Sequence, residues 1–438
     1  MIAVIDHEQM LAAAAEETRE AIATARRAQA TWAATSIADR ARHIGSLRPM
    51  LAAQATEMAR AAGSIAGRPV AEKLVSEVLP LLEACRFLEK NAARILAPKR
   101  HGRRGRPVWL HGSSFEISRK PFGVILIVGP RNYPLFIPVV QMLHALVAGN
   151  AVVLKPAEGA SLPVAEFMHR VLAQSAIPKE LVHLLPEDPQ AARAAVKFGV
   201  DKAIFTGSSC NGRDFLEELA KQNTPSVMEL SGADTVFVRA DADVQLAAKA
   251  IEFGSRLNDG DTCMAPHAIV AHVAIADALE RALRASGLTT EPLLRVHDDA
   301  EALEIAAFDE HRLGAAIFSR DENAARHFAR QLATGFATIN DIIVPTADPR
   351  FPFGGVRGSG FGVTRGAEGL LAMTHPQPIA IRRTRFLPHL EKPQTNDAEL
   401  FAAFASLIHG RGFALRSAAL KRVMAAGRER MRIAKETK

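Results

Sequence analysis

The sequence predicts an α/β protein built on a doubly wound parallel sheet, with strands for a further sheet. Three observations carry that prediction. Short runs such as Val124-Ile125-Leu126-Ile127-Val128 and Ala151-Val152-Val153-Leu154 are apolar throughout, without the in-out alternation of a half-exposed strand. Amphipathic helical stretches separate them, as crossovers between parallel strands require. The chain also opens with a long Ala-rich region that contains few strand formers.

Residues from about Glu8 to Ile95 read as several helices. Arg106 to Leu110, a turn at His111-Gly112-Ser113-Ser114, and Phe115 to Ser118 then read as a β-hairpin. Next come the strand Val124 to Val128, a helix from Val139 to Val147, the strand Ala151 to Leu154 and a helix from Val164 to Ala173. Leu181 to Leu185, Ala203-Ile204-Phe205 and Thr235 to Val238 continue the rhythm. Arg312 to Ser319 and Ala337 to Asn340 offer strands for a further sheet. A late strand, Ile379 to Arg382, precedes a polar linker. A final helical stretch from Leu400 carries Phe413, Leu420, Met424 and Met431 near one face.

Composition bounds the class. Hydrophobic residues make up 48% and charged residues 23% of 438, which excludes a disordered chain. No run reaches the ~18 apolar residues of a membrane span, and the start MIAVIDHEQM does not read as an export signal. Three scattered cysteines suit a reducing compartment, so a cytoplasmic location is expected. The net charge of +7 equals the excess in the last stretch, where nine Lys or Arg face two Glu from Arg411 to Lys438. That tail reads as a solvated helix or as a weak peripheral contact with anionic lipid; nucleic acid is not expected as a partner.

Five segments carry candidate chemistry. Asn132 sits in a Gly-Pro-Arg-Asn-Tyr-Pro loop after a buried strand, where an amide can donate to a developing oxyanion. Lys155 and Glu158, in Val-Leu-Lys-Pro-Ala-Glu, could bracket a ribose diol. Phe205-Thr-Gly207-Ser208-Ser-Cys-Asn-Gly212 places a glycine turn at a helix start, which suits a pyrophosphate. Met228-Glu229-Leu230-Ser231-Gly232 sets a carboxylate before a small-residue turn. Asn258-Asp-Gly-Asp-Thr-Cys263-Met-Ala-Pro266 places a cysteine in a loop expected to open a helix, which would lower its thiol pKa. Cys210 has no assigned role, and Cys85 reads as helix packing.

Together with Pro352-Phe-Gly-Gly-Val356 and Ser359-Gly360, the order and spacing of these motifs resemble the aldehyde dehydrogenase superfamily, most closely its class 3 branch. The resemblance runs from about Arg106 to Arg382. It implies a cofactor domain, a smaller catalytic domain and a β-hairpin and strand arm for oligomerisation. The implied divisions are a helical part of the cofactor domain at 1–105, the arm at 106–120, a Rossmann-like domain at 121–228, a shortened catalytic domain at 229–375, and a bridging strand with basic tail at 376–438. The resemblance further implies Cys263 as nucleophile, Glu229 as the base for thioester hydrolysis and Asn132 as oxyanion donor. Lys155, Glu158, Gly207, Ser208, Gly212 and Leu230 would hold NAD, with NADP admissible. A homodimer and an aldehyde substrate are implied in the same way.

The chain departs from the family after Cys263. A long segment ending in Glu-x-Phe-Gly-Pro is expected there; instead Pro266 to Gly287 leads at once to Leu288-Thr-Thr-Glu-Pro292, placing Leu288 and Thr290 at the motif's Glu and Phe. Arg131, Asp261, Ser231 and Arg357 also depart from the pattern, and Asp261 would oppose a Cys263 thiolate if it lay close. A degenerate binding subunit and a coenzyme A-acylating enzyme are the competing readings.

Overall fold

Five apolar runs pair in parallel to build the first sheet. They are β1 (Val124–Val128), β2 (Ala151–Lys155), β3 (Val182–Leu184), β4 (Lys202–Thr206) and β5 (Ser226–Glu229). Their order is β5-β4-β1-β2-β3, and the short strand Gly360–Phe361 lies antiparallel beside β5. Every residue of β1 and β2 is buried, as their unbroken apolar character predicts. The winding reverses between β1 and β4, and the crevice beyond the strand ends at such a reversal is where doubly wound sheets bind ligands. Register aligns those ends: Val128 faces both Lys155 and Phe205, and Thr206 faces Glu229.

The computed structural model describes residues 7–63, 67–159, 161–288, 293–384, 387–390 and 392–436. The chain divides into two compact units, residues 1–99 with 117–379 and residues 100–116 with 380–438. In the larger unit the Ala-rich opening forms the expected helices, among them His7–Ala34, Ile37–Ala53 and Leu79–Ile95. One turn of π-helix, Leu74–Val78, interrupts this region. The helix Phe136–Ala148 buries nearly every side chain and ends at Gly149, whose φ of 99° lets its N–H reach the carbonyls of Ala145 and Leu146. Asn150 follows, fully buried, accepting from Gly123 N–H and donating to the carbonyls of Ala145 and Met373.

A second parallel sheet follows in the same unit. It contains β6 (Asp234–Val238), β7 (Pro266–His272), β8 (Leu293–Val296), β9 (Gly314–Phe318) and β10 (Phe336–Ile339), in the order β8-β7-β6-β9-β10. Helix Val273–Ala285 carries the chain from β7 to β8, which pair directly.

The expected hairpin differs from the one observed. Residues Val108–Leu110 form a 3₁₀ turn in which the N–H of Leu110 bonds the Pro107 carbonyl at 3.0 Å. Pro107, lacking an N–H, starts that turn more readily than a paired strand. The strand Ser113–Pro121 is instead flanked by Lys99–His101 and Thr374–Arg382. In the smaller unit the polar linker leads to two helices, Asp397–His409 and Phe413–Glu436, joined by an Arg430–Asp397 ion pair. Phe413, Leu420, Met424 and Met431 are all exposed, so none of the described residues covers the apolar face anticipated there. Among the described residues no helix is long and apolar enough to cross a membrane.

Candidate active site

Cys263 stands at the end of a tight loop. Asn258, Asp259 and Gly260 adopt φ values of 56°, 52° and 77°, a left-handed run that Asn, Asp and Gly enter most readily. The loop delivers Cys263 to β7 and not to a helix, so the helix-start activation expected from sequence is absent. Pro266 and the apolar Ala-Ile-Val stretch behind it make the strand. Beside it, the turn after β5 comes so close that a β-carbon on Gly232 would collide with the Cys263 carbonyl. Glycine there is a packing requirement, and it joins the Glu229 turn to the nucleophile loop.

Asn132 reaches the same loop. Its amide donates to the Asp261 carbonyl at 3.2 Å, leaving a second N–H, and the neighbouring Tyr133 hydroxyl bonds Thr262 Oγ1 at 2.8 Å. Two residues that sequence reasoning missed organise this junction. Lys73, buried, donates to Glu77 at 2.8 Å, to the Asn258 side-chain oxygen at 3.1 Å and to the Asn132 carbonyl at 3.4 Å. Glu77, also buried, accepts the N–H groups of Leu135 and Phe136 at 2.8 and 3.0 Å, at the start of helix Phe136–Ala148. A Lys and a Glu four apart within an apolar helical stretch were the available signal.

Glu229, at the end of β5, is pinned by three donors. Thr364 Oγ1 bonds one carboxylate oxygen; Thr206 Oγ1 at 3.0 Å and Gln141 Nε2 at 3.2 Å bond the other. Burial pushes its carboxyl above the ordinary value, with Thr364 and Arg365 acting against that rise.

Burial also pushes the Cys263 thiol up, to about 12, and the carboxylates of Asp234 and Glu229 add to the shift while Arg365 opposes it. The anions that bear on the thiol are therefore these two and not Asp261, whose side chain is exposed; Arg131 is exposed as well. Asp234 was not foreseen, although a charged residue opening the run Thr235 to Val238 invited the question. Its carboxylate accepts the Gly314 N–H at 2.9 Å, and burial pushes it up to about 7.

Cys263 and Glu229 both line a cavity of about 710 Å³. Its wall is largely apolar, with Phe136, Ile137, Phe253, Leu257, Val344 and Phe353 prominent. Arg365 enters it with its guanidinium stacked on Phe353, 4.1 Å from the ring centre, while donating to the Thr346 carbonyl at 2.8 Å.

The dinucleotide candidates lie at the ends of β2, β4 and β5. Lys155 faces Glu158, Glu187 and Asp188; burial lowers its ammonium pKa and the three carboxylates oppose that. A buried cation beside several carboxylates is a donor and acceptor set that fits an adenosine ribose. Gly207 donates its N–H to the Glu229 carbonyl at 3.0 Å, and a β-carbon on Gly212 would strike the Leu230 side chain. At the start of helix Ser209–Lys221 the Ser208 hydroxyl takes the Asn211 N–H at 3.3 Å, and Ser231 takes that of Ser209 at 3.2 Å. Two of the N–H groups expected to face a pyrophosphate are thus already held by serine hydroxyls, one of them on the residue that departs from the family pattern.

On the nicotinamide side, Leu288 follows the left-handed Gly287, bonds its N–H to the Leu283 carbonyl at 3.2 Å and packs into the second core. It serves as the apolar residue of a helix stop. Thr290 and Glu291 lie outside the described residues.

The site thus combines a doubly wound parallel sheet, a second parallel sheet, and one cavity lined by both a cysteine and a buried glutamate. The chain matches the model of the aldehyde dehydrogenase family over residues 7–289 and 291–379, and it belongs to that family. A 4,4'-diapolycopene aldehyde oxidase of Methylomonas sp is 28% identical, over 90% of this chain and 87% of that protein. Geranial dehydrogenase of Castellaniella defragrans is 26% identical, over 81% and 88%. Among solved structures, substrate-bound AldH of Staphylococcus aureus superposes with a TM-score of 0.79 at 21% identity, covering 88% of this chain and 99% of that one. The NAD-dependent aldehyde dehydrogenase of Sinorhizobium meliloti gives 0.79 at 22%, covering 86% and 89%. The protein is an NAD(P)-dependent oxidoreductase acting on aldehydes.

Proposed function

We propose that this enzyme oxidises long, apolar aldehydes to carboxylic acids, and the observation that carries the reading is the apolar cavity reaching Cys263 and Glu229. A wall of this kind gains roughly 0.8 kcal/mol for each methylene it covers, so binding grows with chain length. The names of the diapolycopene and geranial enzymes, both of which act on extended apolar aldehydes, agree with it.

In this reading the Cys263 thiolate attacks the aldehyde carbonyl, and the free N–H of Asn132 with the Cys263 backbone N–H receives the oxyanion. NAD(P)⁺, when bound, supplies the hydride acceptor. The carbon left on sulfur is a thioester. Glu229 takes a proton from water as that water attacks the thioester carbon, and the carbon–sulfur bond breaks to release the acid and the Cys263 thiolate. Lys155, Glu158, Gly207, Ser208, Gly212 and Leu230 hold the adenosine and pyrophosphate parts.

The passage from β7 to β8 through the single helix Val273–Ala285, where the resemblance calls for a longer segment, supports loose holding of the nicotinamide end. The Methylomonas relative aligns over 464 positions, more than this whole chain, so dozens of its positions face gaps. The arm strands support a homodimer, and the exposed apolar and basic faces of the last helix support weak contact with anionic membrane. The cysteine usage supports a cytoplasmic setting.

Reduction of NAD by purified enzyme, followed across acetaldehyde, hexanal, decanal and geranial, tests the substrate class. kcat/KM is expected to rise steeply with length. Acetaldehyde turned over as efficiently as decanal would overturn it.

A further inference from the structure

The cavity holds a charge that an apolar substrate does not call for. Arg365 lies just before helix Gly366–Ala372 with φ of 61°, a conformation costly for a residue with a β-carbon. That backbone aims the guanidinium into the cavity, between the rings of Phe353 and Phe136 at 4.1 and 5.3 Å. Its bond to the Thr346 carbonyl fixes it there. Thr364, the preceding residue, holds Glu229.

The groups facing the Cys263 thiol come from four elements: Glu229 at the end of β5, Asp234 at the start of β6, Tyr133 after β1, and Arg365. Asp259 and Asp261 belong to its own loop, with exposed side chains. Arg365 is the cation in this set. The remaining group near Arg365 is His144, whose burial pulls it down to about 4, so it stays neutral at physiological pH. Arg365 itself remains charged, with burial lowering it only to about 10.

We propose that Arg365 is the electrostatic partner of the Cys263 thiolate, a fixed cation in the substrate cavity that offsets Glu229 and Asp234 and makes the sulfur nucleophilic. The proposal rests on Cys263 being the nucleophile, and its test reads the sulfur without using turnover. In a Cys210→Ser background, which removes the exposed thiol, alkylation of Cys263 is followed from pH 6 to 10 with neutral iodoacetamide and anionic iodoacetate.

Arg365→Gln keeps a planar polar group over Phe353 without charge. Because the Cys263 thiol titrates above that pH range, the substitution is expected to lower the alkylation rate about tenfold at each pH and to lower the iodoacetate-to-iodoacetamide rate ratio about tenfold. Arg365→Lys is expected to restore most of both. If both reagents give the parent profile and ratio in Arg365→Gln, Arg365 only packs and the proposal fails. Failure of the nucleophile assignment shows separately, as turnover surviving in Cys263→Ser. Should Arg365→Gln not fold, the Lys variant decides: a retained ratio upholds a charge role, and a lost one overturns it.

Discussion

Lys73 donates to the side-chain oxygen of Asn258 at 3.1 Å, so a residue of the amino-terminal helical region grips the loop that presents Cys263. The same ammonium holds the Asn132 carbonyl and Glu77, whose other oxygen caps the helix after Asn132. The buried ion pair thus reinforces the direct hydrogen bond from the Asn258 amide to the Asn132 carbonyl at 3.1 Å.

Replacing Lys73 with Met leaves the Glu77 carboxylate buried without its cation, which costs about 3 to 5 kcal/mol. Urea denaturation is expected to show that loss. The double variant Lys73→Met with Glu77→Gln should recover most of the stability yet keep a reduced kcat, because Asn258 and Asn132 keep only their direct hydrogen bond at 3.1 Å and lose the ammonium they share. A double variant with unchanged kcat would show that the pair only packs.

Glu229→Gln is expected to let the thioester form but not hydrolyse, giving a rapid burst of NADH and then a slow phase in a stopped-flow trace. A slow trace without a burst would place Glu229 earlier in the reaction. In the parent enzyme, burial holds Glu229 protonated to a higher pH than an exposed carboxyl. The hydrolytic rate should therefore rise with pH through a value above the ordinary 4.5. A hydrolytic rate that does not rise with pH above 4.5 would contradict the role of base.

The parallel sheets were legible because buried strands need continuous apolar runs, and β1, β2 and β4 lie within a residue or two of where those runs predicted them. The Cys263, Glu229 and Asn132 motifs stood out by the family resemblance of their order and spacing; the structure places Cys263 and Glu229 on one cavity and Asn132 against the loop that carries Cys263. Lys73, Asp234 and Arg365 were not. Each depends on a meeting of distant segments, and a lone charge in sequence does not say whether it ends at the surface or in a cavity. The hairpin error had a local origin, since Pro107-Val-Trp-Leu satisfies both a strand pattern and a 3₁₀ turn.

The carboxylates around Lys155 bear on cofactor choice. Glu158 was visible in the motif, and Glu187 and Asp188 add two more. The 2′-phosphate of NADP would meet this cluster, and like charges at close range repel. Fluorescence titration is expected to give NAD binding about tenfold tighter than NADP. Glu158→Gln with Glu187→Gln should narrow the gap; a parent preference for NADP would refute the assignment.

Asp234 couples stability to pH. Its folded value of about 7 lies above the ordinary 3.8, so the folded protein keeps this proton longer than the unfolded chain does. Below about pH 4 both states are protonated and burial carries no charge penalty. Between pH 4 and 7 the unfolded chain ionises first, so stability falls as pH rises; above 7 the penalty is full and constant. Asp234→Asn keeps an oxygen for the Gly314 N–H and cannot ionise. It should match the parent near pH 4 and exceed it above pH 7, by up to about 4 kcal/mol at 1.36 kcal/mol per pKa unit. Urea midpoints at pH 4.5, 6 and 7.5 measure the trend. The same substitution removes one of the two anions facing Cys263, so alkylation of that thiol should begin at lower pH. An Asn variant whose advantage is the same at all three pH values would mean that Asp234 does not titrate in this range.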